Sequence, residues 1–302
     1  MLEPGQTSGR DVLRAAFWMI GAIASFSAMA VAGRTVGATH DTFEIMLYRS
    51  IVGFVIVVAV AALAGTLHQV NRRHLDVHLM RNLAHFAGQN LWFYAVTVIP
   101  LAQVFALEFT SPLWVLVLSP LILGERLTRL RALAAALGFV GILIVARPSP
   151  ETINAGVIAA ATAAICFALT IVFTKRLTRS ATITCILFHL TAMQIVMGAV
   201  CVFWDGQVTL PDAASLPWLV LIGCAGLLAH FCLATALSIA PATVVVPIDF
   251  MRLPLIAIVG ALVYSEALDP LVFAGAAVIF AGNYLNIWGE TRRRAPVAGD
   301  RV

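Results

Sequence analysis

The sequence predicts an all-α membrane protein, with ten transmembrane helices forming two inverted five-helix repeats around a central cavity. Three observations carry that prediction. Of 302 residues, 61% are hydrophobic and 11% charged, with a mean hydropathy of +0.96, whereas soluble domains carry about a quarter charged residues. Apolar stretches of about 18 residues or more recur along the whole chain, each able to cross a hydrocarbon core of roughly 30 Å at about 1.5 Å per residue. The sequence also aligns with itself at one constant offset, 141 positions, without a net gap.

The spans are expected at about 15–33, 42–65, 82–98, 101–122, 130–147, 153–174, 183–203, 216–239, 242–264 and 270–288. All should be helices, because in lipid every backbone amide needs an internal partner and runs this long are not the alternating strands of a barrel. Arg10 and Arg14 precede an apolar run ending "SAMAVAG", which has the look of a cleavable signal. The repeat argues against cleavage, since the counterpart at 153–174 lies mid-chain.

In the self-alignment "SFSAMAVAGR" (25–34) lies over "CFALTIVFTK" (166–175), "TVIPLA" (97–102) over "SIAPAT" (238–243), "LGERLT" (123–128) over "YSEALD" (264–269), Glu108 over Asp249 and Gly141 over Gly282. One offset shared by all of these indicates a duplication. With five spans per copy, the second copy enters the membrane from the opposite side, so the repeat is expected to be inverted, the architecture of secondary transporters. The expected organisation is 1–147 for the first repeat, 148–290 for the second and 291–302 for a basic cytoplasmic tail held to the inner leaflet.

Basic residues set the orientation. With the N-terminus inside, the inner segments hold Arg10, Arg14, Arg72, Arg73, Arg81, Arg126, Arg129, Arg131, Lys175, Arg176, Arg179, Arg292, Arg293, Arg294 and Arg301, against Arg34 and Arg147 outside. Both termini are therefore expected in the cytoplasm, with the chain in a bacterial inner membrane. The net charge of +4 reflects topology rather than affinity for nucleic acid. The five cysteines lie in or beside spans with no CxxC pair, and no disulfide is expected.

The ten spans, the tandem repeat and "FTSPLWVLVLSPLILGERLT" (109–128) with its echo "FMRLPLIAIVGALVYSEALD" (250–269) resemble the EamA branch of the drug/metabolite transporter superfamily. The resemblance covers about 12–290. It implies a polytopic inner-membrane carrier with a cavity walled mainly by spans 1, 3, 4, 6, 8 and 9, and with spans 5 and 10 at the periphery. Similar members export amino acids and other metabolites, and some import cofactors. The second copy departs from the usual pattern in carrying Asp249 and Arg252.

Glu108 follows Pro100 by eight residues, about 12 Å of helix, and Asp249 follows Pro241 by the same number, so both approach the bilayer midplane. Charged groups there cost at least roughly 2.5–3.5 kcal/mol on insertion scales and face cavities or partners. Arg252 stands at i,i+3 from Asp249. Two readings stand: an ion pair fixing the broken "VPIDFMRLP" segment, or an arginine whose planar fork receives a substrate carboxylate or phosphate. For Glu108 three fates are open: pairing with Arg49, Arg252 or His85, remaining protonated, or meeting a cationic substrate group. Glu108 and Asp249 are the proton-coupling candidates.

Span 3 offers His85, Gln89 and Trp92 on one stripe, with Asn90 and Tyr94 beside them, and His230 is the repeat mate of Gln89. Trp18 and Trp114 are further candidate cavity walls. For the histidines, packing and substrate contact are both open. Arg49 is expected to snorkel to the outer interface or to form a structural pair, and Glu125 and Glu266 to serve as turn carboxylates.

An ATP-driven pump is excluded, because the only lysine, Lys175, follows Thr174 and no GxxxxGK loop exists. An enzyme is not expected: HExxH, GxSxG and His/Cys clusters at metal-ligand spacing are missing, so the reading assigns no cofactor and no metal. The expected partners are a small-molecule metabolite and membrane lipid, with a monomer or loose homodimer. The leading expectation is export of amino acids or related metabolites by alternating access, with proton coupling through the midplane carboxylates open. The alternative is uptake of a cofactor-like metabolite of the riboflavin or S-adenosylmethionine type.

Overall fold

The computed structural model describes residues 9–123, 129–147, 153–204, 208–239, 245, 248–249 and 251–294. Among these residues all regular structure is helical. The helices are α1 (Gly9–Val36), α2 (Thr42–Leu63), α3 (Leu75–Val98), α4 (Leu101–Glu108), α5 (Ser111–Leu123), α6 (Arg129–Ala146), α7 (Ala155–Leu177), α8 (Ile183–Val202), α9 (Leu216–Ile239), α10 (Arg252–Tyr264) and α11 (Pro270–Arg294). Six described segments are both long and apolar enough to cross a membrane, including Leu101–Leu118 taken through the α4–α5 turn, and shorter apolar helices accompany them. The chain is a multi-pass membrane protein.

Helix starts follow the capping rules. Asp41 and Glu44 form a reciprocal capping box at α2, and Asn154 and Thr182 cap α7 and α8 through their side chains. The single span expected at 101–122 is broken at Phe109–Thr110. There the Thr110 and Ser111 hydroxyls donate to the carbonyls of Leu107 and Glu108 at 2.7 and 2.6 Å, and Pro112 occupies the first turn of α5, where its missing N–H costs nothing. Glu108 therefore ends a half-helix, and Arg252 begins another. α3 is long enough to span but is not among the six, because His78, Arg81, Asn82, His85, Gln89 and Asn90 make it too polar; all six of those residues are buried in the protein.

Close approaches fix the direction of each helix. A Cβ added at Gly156 would lie 2.6 Å from Val98 and Ile99, which puts the start of α7 at the end of α3. Arg81 near the start of α3 donates to Thr174 near the end of α7 at 2.9 Å. Arg34, in the last turn of α1, donates to the carbonyls of Val96 and Ile99. α7 is thus antiparallel to both α1 and α3. Thr184 donates to Thr66 at 3.2 Å, joining the end of α2 to the start of α8, and Arg147 pairs with Asp269 between the end of α6 and the start of α11.

The most extensive packing joins α1 to α9, α6 to α11, α3 to α7 and α2 to α8. The α6–α11 seam rests on glycine: a Cβ at Gly141 would meet Ile279 at 2.5 Å and the Gly275 carbonyl at 2.8 Å, and one at Gly275 would meet the Gly141 carbonyl at 2.8 Å. Backbone atoms cannot swing aside, so these positions are closed to larger residues. The two ends of the bundle differ in charge. Arg10, Arg14, Arg72, Arg73, Arg81, Arg129, Lys175, Arg176 and Arg179 lie toward the end that carries the α7–α8 turn, whereas Arg34 and Arg147 at the other end are each bonded to a carboxylate.

The glycine seam makes a direct prediction. Gly141→Leu should destabilise the folded protein by about 1–3 kcal/mol, the usual range for overpacking, read as a lowered thermal midpoint in detergent. An unchanged midpoint would mean that α6 and α11 are not packed as described.

Candidate functional site

At the paired helix breaks, one guanidinium holds two carboxylates. Arg252 Nη2 lies 3.2 Å from Asp249 Oδ2 and 3.4 Å from Glu108 Oε1. Glu108 accepts a second bond through Oε2 from the Trp92 indole N–H at 2.8 Å. Arg252 is 4% exposed, and its guanidinium carbon lies 4.6 to 5.1 Å from the ring centres of Phe26, Phe105 and Phe109. A cation so enclosed is held by quadrupoles as well as carboxylates. The cluster carries one more acid than base, and Asp249 Oδ1 and Arg252 Nε have no hydrogen-bond partner within the described residues.

A cavity of about 640 Å³ lies among α2, α3, α7, α8 and α9, a volume typical of small-molecule sites. It runs from the level of Arg49, His85 and His230 to the α7–α8 turn, reaching Thr178 and Ile183. Arg49 donates to Gln89, and Gln194 donates to His85 Nδ1 at 2.5 Å. The described walls hold two cations, Arg49 and Arg81, together with threonines and aliphatic side chains, and no carboxylate. One ring separates the cavity from the charged cluster: Phe26 meets His230 edge-on at 5.4 Å and also supports Arg252.

At the opposite end of the molecule a second ion pair joins several segments. Arg34 pairs with Glu266, donates to the Ile99 carbonyl at 2.6 Å and lies 4.8 Å from the Tyr264 ring centre. Glu266 also accepts the Leu101 N–H at 2.9 Å. One ion pair thus ties together α1, the α3–α4 junction and the α10–α11 connection.

The sequence pattern of the EamA-like transporter family matches residues 13–147 and again 154–288, so the second match begins 141 positions after the first (154 minus 13). This chain belongs to the EamA-like transporter family. It is a duplicated membrane transporter rather than an enzyme. It is 29% identical over 271 residues to the riboflavin transporter of Brucella anthropi, covering 88% of this chain and 95% of that one. It is also 26% identical over 276 residues to the S-adenosylmethionine uptake transporter of Rickettsia felis, covering 91% and 92%. A solved crystal structure superposes with a TM-score of 0.63 over 93% of this chain and 99% of that one, at 17% identity, a likeness of fold alone. Amino-acid export finds no support in these names.

In this EamA-like transporter the expected site residues separate into groups. Glu108, Asp249, Arg252 and Trp92 meet in the charged cluster, while His85 and His230 line the cavity. Gln89 stands behind them, bonded to Arg49, and Asn90 donates to its own helix at Phe86. Tyr94 is 40% exposed on the outer face of α3. Trp18 packs edge-on against Phe231, and Trp114 against Phe139. Arg49 turns inward to the cavity rather than to the interface, because Gln89 receives it. α2 and α8 supply much of this cavity's described wall, while spans 1, 4 and 9 close around Arg252. Glu125, Pro241 and Pro247 lie outside the described residues.

Sequence reading passed over Phe26 and Gln194. Phe26 resembles any core aromatic, but Gln194 in "TAMQIVMG" is a polar residue in the middle of an apolar span, which is the usual sign of an inward-facing position.

Arg252→Gln leaves two partly buried carboxylates without their buried cation and should cost about 3 kcal/mol, the low end of the range for breaking a buried pair from one side. Adding Glu108→Gln and Asp249→Asn to it should recover most of that loss. A triple variant no more stable than Arg252→Gln alone would show that the cluster is not held by charge.

Proposed function

We propose that this protein is a ten-span carrier of two inverted repeats in the bacterial inner membrane, taking up a neutral, cofactor-like metabolite of the riboflavin type by alternating access. The observation that carries the substrate reading is the cavity wall, which holds two arginines and no carboxylate among its described residues. S-adenosylmethionine carries a sulfonium cation, which such a wall repels. Riboflavin is an uncharged flat ring with a polyhydroxyl chain, suited to aliphatic walls bearing threonines, Gln194 and the imidazoles. The relatives named for riboflavin support the same choice.

Inversion is supported by helix direction, since α7 runs opposite to its repeat mate α1, and α8 opposite to α2. The packing pairs α1 with α9 and α7 with α3, which exchange under the 141-residue offset. The basic end carries the cavity mouth, which by the positive-inside rule is the cytoplasmic side. The structure then corresponds to an inward-open state, closed outside by Arg34–Glu266. Glu108 and Asp249 hold the coupling proton, because two acids on one cation leave one charge to be balanced.

The test is uptake into proteoliposomes. Labelled riboflavin should enter saturably and faster than S-adenosylmethionine or amino acids, and Arg49→Gln should slow it about tenfold or more. Preference for S-adenosylmethionine would overturn the charge argument, and amino-acid transport without riboflavin transport would overturn the substrate class.

Glu266→Gln should loosen the sealed end, so that a cysteine placed at Thr97 reacts faster with an impermeant maleimide added outside. Equal labelling rates in the two backgrounds would remove the ion pair as the lock.

A further inference from the structure

His78 on α3 and Cys185 and His189 on α8 are all buried, and each offers one donor atom within 4.8 Å of the others. We propose that they bind a divalent transition-metal ion of the zinc class. Two imidazoles and a thiolate are the ligand types that such ions select. His78 is 0% exposed, and neither of its ring nitrogens has a hydrogen-bond partner among the described residues. An imidazole buried dry in this way loses its hydration without replacement, and a metal ligand bond supplies the missing partner. The His78 ring stacks on that of His189, 4.4 Å between centres and 28° between planes, so the two imidazoles stand side by side.

The surroundings fit a metal shell. His189 Nδ1 lies 2.9 Å from the Cys185 carbonyl, the kind of second-shell bond that fixes a ligating ring. Cys185 Sγ lies 3.6 Å from the Asn71 carbonyl, and water or that carbonyl completes a four-coordinate set. Asn82 donates to the His189 carbonyl at 3.2 Å, pinning the turn that carries the ligand. Arg81, the nearest cation on α3, is already committed to Thr174 and Asn82. A tetrahedral site has donor separations of about 3.4–3.6 Å at ordinary zinc bond lengths, so binding draws the three side chains in by roughly 1 Å. The thiol proton leaves to solvent as the metal–sulfur bond forms.

Cys185 and His189 stand at i,i+4 on one helix face, while His78 comes from another helix more than a hundred residues away. A metal here ties the start of α3 to the start of α8 beside the cavity mouth, whose walls include Arg81 and Ile186. The proposal is independent of the substrate reading.

The test is Co²⁺ titration of the purified, chelator-treated full chain in detergent. One equivalent should bind with thiolate-to-cobalt charge-transfer and tetrahedral d–d absorption, and Zn²⁺ should displace it. Cys185→Ser should abolish the charge-transfer band. His78→Gln and His189→Gln should weaken binding by at least the 10–100-fold typical of outer-shell losses. If folded wild-type protein shows no charge-transfer band, or if Cys185→Ser retains it, the site does not exist, and the wild-type result decides even if a variant fails to fold.

Discussion

The arrangement of the two repeats depends on a single buried guanidinium. Arg252 has to be held by charge, because it is almost completely removed from water inside a protein that is itself surrounded by lipid. Asp249 comes from its own repeat and Glu108 from the other, so the ion cluster also joins the repeats. Each carboxylate lies beside a helix break, where a side chain near a half-helix end can reach across more easily than one in a continuous span. The breaks have a local cause in the Ser-Pro and Leu-Pro steps at Pro112 and Pro254, which begin new helical segments instead of continuing old ones.

Around this cluster the molecule is asymmetric. At one end Arg34 and Glu266 bind three chain segments together; at the other, α2, α3, α7, α8 and α9 part around the cavity. The repeat makes this asymmetry informative: α1 and α7 are equivalent in sequence register, yet α7 supplies part of the described cavity wall and α1 does not. In the proposed cycle the two halves exchange these roles, and the cluster at the centre belongs to both.

Much of the fold was legible in the sequence because its physics is local or periodic. Span length, apolar run and Pro position locate most helices to within a few residues, and the fixed offset pairs Glu108 with Asp249. The break at Phe109–Thr110 does not show in the hydropathy of its apolar and hydroxylic residues, and Pro112 is the one local mark of it. The polar content of α3 was visible, but not the direction of each group. Gln89 turns to Arg49 and Trp92 to Glu108 only because of helices distant in sequence. His78 with Cys185 and His189 is the clearest case: two of the three form an i,i+4 pair, and the third arrives through tertiary packing alone.

The position of Phe26 joins the two sites. Its ring touches His230 on the cavity side and Arg252 on the other, so a substrate pressing on His230 acts on the wall that holds the cation. A substrate therefore need not contact the carboxylates to influence their charge balance. It needs only to move a ring that supports the guanidinium, because a cation between two acids and three aromatic faces is sensitive to small changes in distance. Such a division suits an uncharged substrate. In the proposed cycle the cavity recognises shape and hydroxyl groups, while the charged cluster, sheltered from the substrate, holds the coupling proton.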